Sequence, residues 1–154
     1  MPGNGKPRKG GGGGSGGSGG GAALPDGVKV EEYGSTKDYV FEVSGSEVRF
    51  SVGGLGANKA EVDYQVNGNF DRSSLKGRDA NKVALKIARI MKYDVATRPK
   101  GFKYSVSAYT GDGFGDRRAQ AYRLAGFSTP RKAGDLQYAV VKGGKLQPIK
   151  EAQF

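Results

Sequence analysis

Residues 73–127 read SSLKGRDANKVALKIARIMKYDVATRPKGFKYSVSAYTGDGFGDRRAQAYRLAGF, and two helical segments flank a strand-forming segment within them. In the first segment, the apolar residues have the spacing of a helix with one buried stripe: Val83, Ile87, Ile90, Met91 and Val95. This helix is predicted to begin near Asp79. It should end by about Thr97, because Pro99 cannot continue a helix and restricts the residue before it.

The residues that follow predict a strand and then a second, shorter helix. Residues 102–109 (FKYSVSAY) are rich in β-forming residues. After the glycine-rich loop TGDGFG, Asp116 is a suitable N-cap for a helix. Gly126 is suited to end that helix in a left-handed turn. Tyr122 lies on this helix and is expected either to act chemically or to cover the sheet together with Leu124 and Phe127.

Strands dominate the chain on either side of this region. The strand-like segments are residues 28–33, a hairpin over 38–50 that turns at Ser44-Gly45-Ser46, residues 61–66 before Asn67-Gly68, residues 136–141 and a short edge segment at 146–149. The predicted order is β-β-β-α-β-α-β, with a further short strand at the C-terminus. It indicates an α+β domain, with a mixed, mostly antiparallel sheet and two helices packed on it.

The N-terminus differs in composition from the rest of the chain. Residues 1–24 are rich in glycine and serine and are predicted to form a disordered tail, whereas residues 25–154 form a single domain. The tail carries three basic residues and no acid, so seven of the ten net positive charges belong to the domain. Two roles for the tail stay open: a tether to a larger assembly, or a basic arm with weak, non-specific affinity for nucleic acid.

Composition excludes several classes of protein. The chain has no Cys, His or Trp, which excludes disulfides, Cys or His metal sites, and a Ser-His-Asp hydrolase. No apolar run is long enough to span a bilayer, and the N-terminus has no apolar segment typical of a secretory signal. These features predict a soluble, cytoplasmic protein with no membrane partner and no metal.

The segment RAQAYRLAGF at residues 118–127, together with the order of the elements, resembles the second half of a GNAT-type N-acyltransferase. The resemblance covers roughly the last two thirds of the chain. It implies acetyl-CoA as cofactor, a small-molecule or protein amine as substrate, and Tyr122 as the general acid that reprotonates the leaving thiolate. The chain is also similar in character to small tailed-phage proteins, which implies the host cytoplasm or a virion as its location.

The start of the first helix is compared with the family's phosphate-binding turn, Arg/Gln-x-x-Gly-x-Gly/Ala. Residues 74–79 read SLKGRD, in which Gly77 matches, while Ser74 and Asp79 depart from the pattern. Backbone N–H groups and the helix dipole favour an anion at a helix start, and basic side chains add to this. The candidate cofactor-binding residues are therefore Lys76, Gly77, Arg78, Asn81 and Lys82.

Other polar residues are weaker candidates. Asp63 and Glu61 alternate with apolar residues on their strand, so either could take a proton from an amine, or both could simply face solvent. Asp112 could be a base, an acceptor for substrate or a turn residue. The basic residues of the second helix are expected to extend the positive surface: Arg117, Arg118 and Arg123.

Three functional classes stay open. The first is a GNAT-like acyltransferase with Tyr122 and Asp63 as catalytic residues. The second is a catalytically inactive module of the same fold, used for binding or structure. The third is a nucleic-acid-binding domain that combines its basic charge with tyrosines on strands: Tyr64, Tyr104 and Tyr109.

The tail prediction is testable by limited proteolysis. Proteolysis should leave a stable core that begins near Asp26, because a glycine-rich chain loses the most conformational entropy on ordering. The core should unfold at the same denaturant concentration as the full chain. A core that unfolds once the tail is removed contradicts the prediction.

Overall fold

A computed structural model describes residues 23–71, 74–75 and 77–154. The N-terminal strands are β1 (Lys29–Tyr33), β2 (Thr36–Val43), β3 (Ser46–Gly54) and β4 (Lys59–Val66). They are followed by α1 (Gly77–Ala96), β5 (Lys103–Ser107), α2 (Gly115–Ala125), β6 (Leu136–Lys142), β7 (Lys145–Pro148) and a 3-10 turn (Glu151–Gln153). The tail prediction for residues 1–22 and the candidate Lys76 lie outside the described residues.

The fold class is confirmed: one mixed, mostly antiparallel sheet with two helices. Two details of the prediction are wrong. Four strands precede α1 rather than three, because the short first segment, β1, is a strand that pairs along its whole length with β2. Asp116 is not the N-cap of α2, since the cap residue is Phe114 and the helix begins at Gly115. No helix in the described part of the chain is long and apolar enough to cross a bilayer.

The sheet follows chain order from β1 to β7, and every neighbouring pair is antiparallel except β4 with β5. A parallel pair needs a crossover, and α1 supplies it. The β2–β3 hairpin turns at Ser44 and Gly45, which have positive φ values of 52° and 85°. Positive φ at both central residues is typical of the two-residue turns that match the twist of a hairpin.

Both helices cover one face of the sheet. The register aligns Tyr39 with Phe50 and Tyr64 in β2–β4, and Ala60 with Tyr104 and Ala139 in β4–β6. Because alternate residues of a strand share a face, all six side chains lie on the same side. Helix α1 hydrogen bonds to Tyr39 and Tyr104 through Asp94, and the Ala119 carbonyl of α2 accepts from Gln137. The domain is therefore a two-layer structure with an open sheet face.

The apolar stripe predicted on α1 is confirmed, because all five of its residues are buried against the sheet. The left-handed end of α2 is confirmed as well: Gly126 has a φ of 117°. A Cβ at this position would lie 2.6 Å from the Leu146 carbonyl oxygen of β7, so only glycine fits there.

The buried stripe of α1 also includes an acid, Asp94, whose side chain has no exposed surface. Its carboxylate accepts hydrogen bonds from the hydroxyls of Tyr39 and Tyr104, each at 2.5 Å. Arg98, one turn later, donates from Nε at 3.0 Å and from Nη2 at 3.3 Å. Burial raises the pKa of both tyrosines well above the usual value, and the Asp94 charge adds to this effect. Two strands and the end of α1 are thus joined at one carboxylate.

Asp94→Asn should lower the free energy of unfolding by about 3–5 kcal/mol, because it leaves a buried Arg98 guanidinium and two buried hydroxyls without their acceptor charge. Denaturant unfolding at neutral pH measures the change. Asp26→Asn is the matched control at an exposed site and should alter stability by less than about 0.5 kcal/mol. Equal effects of the two substitutions would contradict a structural role for Asp94.

Candidate functional site

The parallel strands β4 and β5 separate at their carboxyl ends. Their pairing covers four residue pairs, from Lys59 with Lys103 to Val62 with Val106. Beyond that point β4 continues along β3 to Val66. The space between the strands is a cleft with a volume of about 390 Å³. Ligands of sheets with parallel strands often bind at this end, so the cleft is the candidate functional site.

The cleft is formed by residues from β4, β5 and α2 and from the segments that follow both strands. Its lining includes Glu61, Asp63, Tyr64, Phe70, Ser105, Ser107, Tyr109, Arg118, Tyr122 and Leu136. The two residues predicted as catalytic, Asp63 and Tyr122, both line this cleft although they are distant in sequence. They reach it from opposite sides, since Asp63 lies on the sheet face away from the helices and Tyr122 belongs to α2. Glu61, the alternative base, lines it as well.

The environment of Asp63 changes its acidity. Burial raises the pKa of this carboxyl above its ordinary value, and the negative charges of Glu61 and Asp38 raise it further. A carboxylate with a raised pKa is a better proton acceptor than an ordinary aspartate near neutral pH. Asp63 is partly buried, and because it alternates with Tyr64 it lies on the face of the sheet opposite the helices.

Tyr122 both packs on the core and lines the cleft. It is buried, and its ring makes an edge contact with Phe127 at 6.0 Å between ring centroids. Leu124, which was expected to cover the sheet with these two rings, instead has 71% of its surface exposed. It lies two residues after Tyr122, and residues two apart on a helix do not share a face.

Arg118 closes one end of the cleft through a network that the sequence did not predict. All five of its N–H donors are used within the protein. Nη1 and Nη2 bind the two Asp112 carboxylate oxygens at 2.7 and 2.6 Å. The other donors bind the Tyr64 hydroxyl and the carbonyls of Tyr109 and Phe70. The rings of Phe70 and Tyr109 also stack on each other, 5.9 Å apart.

This network corrects two expectations. Arg118 does not extend the positive surface, because only 3% of its side chain is exposed and Asp112 neutralises it. Asp112 is not an available base, because its side chain is 1% exposed and also accepts from the Phe114 backbone N–H. Burial alone would lower the pKa of Arg118, but the hydrogen bonds that it donates to Asp112 hold it above the usual value. The pair fixes the cleft wall.

The candidate cofactor-binding residues on α1 lie elsewhere. Gly77, Arg78, Asn81 and Lys82 are exposed, and none of them lines the β4–β5 cleft. Lys82 lines a second depression of about 380 Å³, beside the β2–β3 turn. Asp79 is in the first turn of α1 rather than at the cap. Its carboxylate accepts from the Ser44 hydroxyl at 3.0 Å and lies 3.8 Å from Lys82 Nζ.

The aromatic residues proposed for nucleic-acid stacking are also placed differently from expectation. Tyr104 has no exposed surface and its hydroxyl is bound to Asp94, so it cannot stack on a base. Tyr64 accepts from Arg118 inside the cleft, and Tyr109 is stacked on Phe70. Of the three tyrosines only Tyr109 is exposed, together with its stacking partner Phe70.

Arg118→Met should reduce the free energy of unfolding by about 3–5 kcal/mol, since it leaves the buried Asp112 carboxylate without its guanidinium counter-charge. The double variant Arg118→Met/Asp112→Asn should recover part of this loss, because it removes the unpaired charge. Chemical denaturation measures both. Arg117→Met, one position away on an exposed side of α2, is the control and should be nearly silent. A double variant no more stable than the single one would contradict this assignment.

Comparison with known proteins gives no match for this chain. No family model, no curated protein and no solved structure shows significant similarity to it. The resemblance of residues 118–127 to GNAT-type N-acyltransferases therefore stays a prediction, and functional proposals depend on the geometry and chemistry of the cleft.

Proposed function

We propose that the domain is a GNAT-like acyltransferase, which moves an acetyl group from acetyl-CoA to an amine in the β4–β5 cleft. One observation carries this proposal. A half-buried carboxylate, Asp63, and a phenol, Tyr122, line a single cleft at the point where two parallel strands part. An acceptor and a donor of protons are the two groups that transfer of an acyl group from a thioester to an amine needs.

The shape of the cleft supports a thioester ligand. In GNAT-like domains the pantetheine arm enters between two splayed parallel strands, and β4 and β5 separate beyond Val62 and Val106. The lining is mixed, with apolar Val106, Ala108 and Leu136 beside the polar groups.

The chain's own residues then divide the proton transfers between them. Bound acetyl-CoA supplies an acetyl group activated as a thioester. Asp63 accepts a proton from the substrate ammonium, directly or through water, so that the neutral amine is the nucleophile. The Tyr122 hydroxyl donates a proton to the sulfur atom as the carbon–sulfur bond breaks. The substrate nitrogen loses two protons in all, one to Asp63 before the attack and a second as the amide forms. One proton reaches the sulfur from Tyr122 and the other is released to solvent, and exchange with solvent restores Asp63 and Tyr122.

The diphosphate end of the cofactor has weaker support. The residues that the resemblance assigns to it, Gly77, Arg78, Asn81 and Lys82, lie on the first turns of α1 and outside the cleft lining. Asp79 adds a carboxylate to the same turns and binds Ser44. The described residues thus fit the thioester end, whereas the diphosphate end departs from the family's turn. We therefore expect weak affinity for acetyl-CoA.

A second candidate is a catalytically inactive module of the same fold. Its support is the same departure at α1, together with Arg118, whose donors are all engaged within the protein. Such a module would bind a ligand in the cleft without chemistry. Binding and turnover measured separately distinguish the two functions.

Tyr122→Phe should reduce kcat by about a hundredfold or more while acetyl-CoA binding is retained, because only the proton donor is removed. Calorimetric titration measures binding, and release of free thiol with a panel of amines measures turnover. Tyr93→Phe, on α1 and outside the cleft, is the matched control and should keep full activity. No heat with millimolar acetyl-CoA would rule out the acyltransferase, and heat without thiol release would favour the inactive module.

Asp63→Asn should abolish the acid limb of the pH dependence of kcat/KM. In the unmodified protein that limb should lie above the ordinary pH range of an aspartate, because the pKa of Asp63 is raised. A raised pKa stabilises the folded protein below the ordinary pKa, and that contribution is lost as the pH rises through the folded-state value. The variant should therefore be at least as stable as the parent at pH 7. Lost activity together with lost stability would contradict a catalytic role.

A further inference from the structure

The exposed side of α1 carries basic side chains along its whole length. Arg78, Lys82, Arg89 and Lys92 are all exposed. At 3.6 residues per turn they fall within an arc of about 80° on the helix surface, opposite the buried stripe. From the first to the last they span about 21 Å along the helix axis. We call these four residues the α1 basic face.

The two acids of α1 lie outside the arc of this face, although Asp79 pairs with Lys82 at its edge. Asp94 has no exposed surface and binds tyrosines of the sheet. The side chain of Asp79 is 13% exposed and accepts from Ser44. A surface helix usually mixes charges of both signs, and acids favour its first turn. The fold thus removes Asp94 from the exposed side, whereas Asp79 stays at the edge of the face as the ion-pair partner of Lys82. Among the described residues, the unpaired positive charge of the face is therefore concentrated at Arg78, Arg89 and Lys92.

We propose that the α1 basic face is a docking surface for the phosphate backbone of duplex DNA. Charge complementarity supports this occupant, because B-DNA presents one negative charge about every 1.7 Å along its axis. Four cations in a straight row of about 21 Å can follow one strand of phosphates. The domain as a whole is strongly positive, which increases the rate of encounter with a polyanion.

The chemistry of the face favours a duplex over other polyanions. Single strands bind largely by stacking of bases on aromatic rings, and the four residues of the face carry only guanidinium or ammonium groups. The B-DNA major groove, about 12 Å wide, admits an α-helix, whereas the A-form groove of RNA is deep and narrow. An anionic membrane would need the apolar stripe of a helix, but the sheet already covers the stripe of α1.

Two neighbouring residues modify the face without cancelling it. Leu85 lies among the basic residues with 62% of its surface exposed, an isolated apolar contact. Glu42, an exposed acid at the end of β2, lines the depression next to Lys82 and Arg89. The face shares no lining residue with the β4–β5 cleft, but Arg78 and Lys82 are also the residues that the resemblance assigns to the diphosphate of the cofactor. Arg89 and Lys92 belong to the face alone, so substituting them tests DNA binding separately from the proposed acyltransferase.

The experiment measures binding of the full chain to a fluorescein-labelled duplex of about 24 base pairs by fluorescence anisotropy. The titration is repeated at several KCl concentrations from about 50 to about 200 mM, the range over which phosphate contacts change affinity strongly. The parent should bind with an affinity that falls steeply with salt. Arg89→Gln/Lys92→Gln should weaken binding at 50 mM KCl by at least about tenfold. It should also reduce the slope of log K against log salt by about 1.8, or 0.9 for each phosphate that the variant no longer neutralises.

The control double variant Arg131→Gln/Lys132→Gln removes the same charges from an exposed loop between α2 and β6. It should leave both the affinity and the slope close to the parent. Thermal unfolding should be unchanged in both double variants, since all four side chains are exposed.

Several results would overturn the proposal. One is no binding by the parent at 50 mM KCl, and another is equal weakening by the two double variants, which would reduce binding to overall charge. Tighter binding to single-stranded DNA or duplex RNA of the same length would assign the face to a different polynucleotide. Loss of binding to phosphatidylserine vesicles in the α1 variant, with no change for duplex DNA, would assign it to a membrane.

Discussion

The buried carboxylate of Asp94 is the interaction on which the sheet and its first helix depend. It accepts hydrogen bonds from the hydroxyls of Tyr39 in β2 and Tyr104 in β5. Because these strands lie on either side of β3 and β4, the two bonds fix where α1 crosses the sheet. Desolvating a charge is costly, and the two tyrosines and Arg98 compensate with short hydrogen bonds. A purely apolar contact would be equally stabilising but would not specify one position along the helix. The carboxylate therefore contributes specificity of register as much as stability.

A second buried pair, Arg118 with Asp112, has the corresponding role at the carboxyl end of β5. Through Tyr64 and Phe70 it connects α2 to β4 and to the segment after β4. Strands β4 and β5 are therefore tied together beyond the point where their own pairing ends. The cleft persists because side-chain bonds at its rim replace the backbone bonds that would otherwise close it. A site held by buried, fully bonded groups keeps its geometry without a ligand.

The sequence predicts what depends on local spacing, and it misses what depends on distant partners. The α1 stripe, the hairpin turn at Ser44-Gly45 and the left-handed Gly126 follow from periodicity and turn chemistry, and all three are confirmed. A signal for Asp94 is present in the sequence: it is an acid at a buried position of the α1 stripe, and Arg98 follows one turn later. This pattern predicts a buried ion pair. Arg118 and Asp112 gave no such signal, since six residues separate them and a loop determines their contact. Asp63 and Tyr122 line one cleft because β4 and β5 pair in parallel. No local sequence pattern specifies that pairing.

The two proposed surfaces have a common origin in the way that the fold distributes charge. Asp94 and Asp79 are turned toward the sheet and the β2–β3 turn, and Asp112 is neutralised by Arg118. Asp94 and Asp112 are thereby removed from the surface together with the cations that pair with them, Arg98 and Arg118. The exposed side of α1 keeps Arg78, Arg89 and Lys92. In the cleft, the charges that act on the pKa of half-buried Asp63 are all negative, so they raise it. The cleft therefore favours proton acceptance, whereas the exposed side of α1 favours binding of anions.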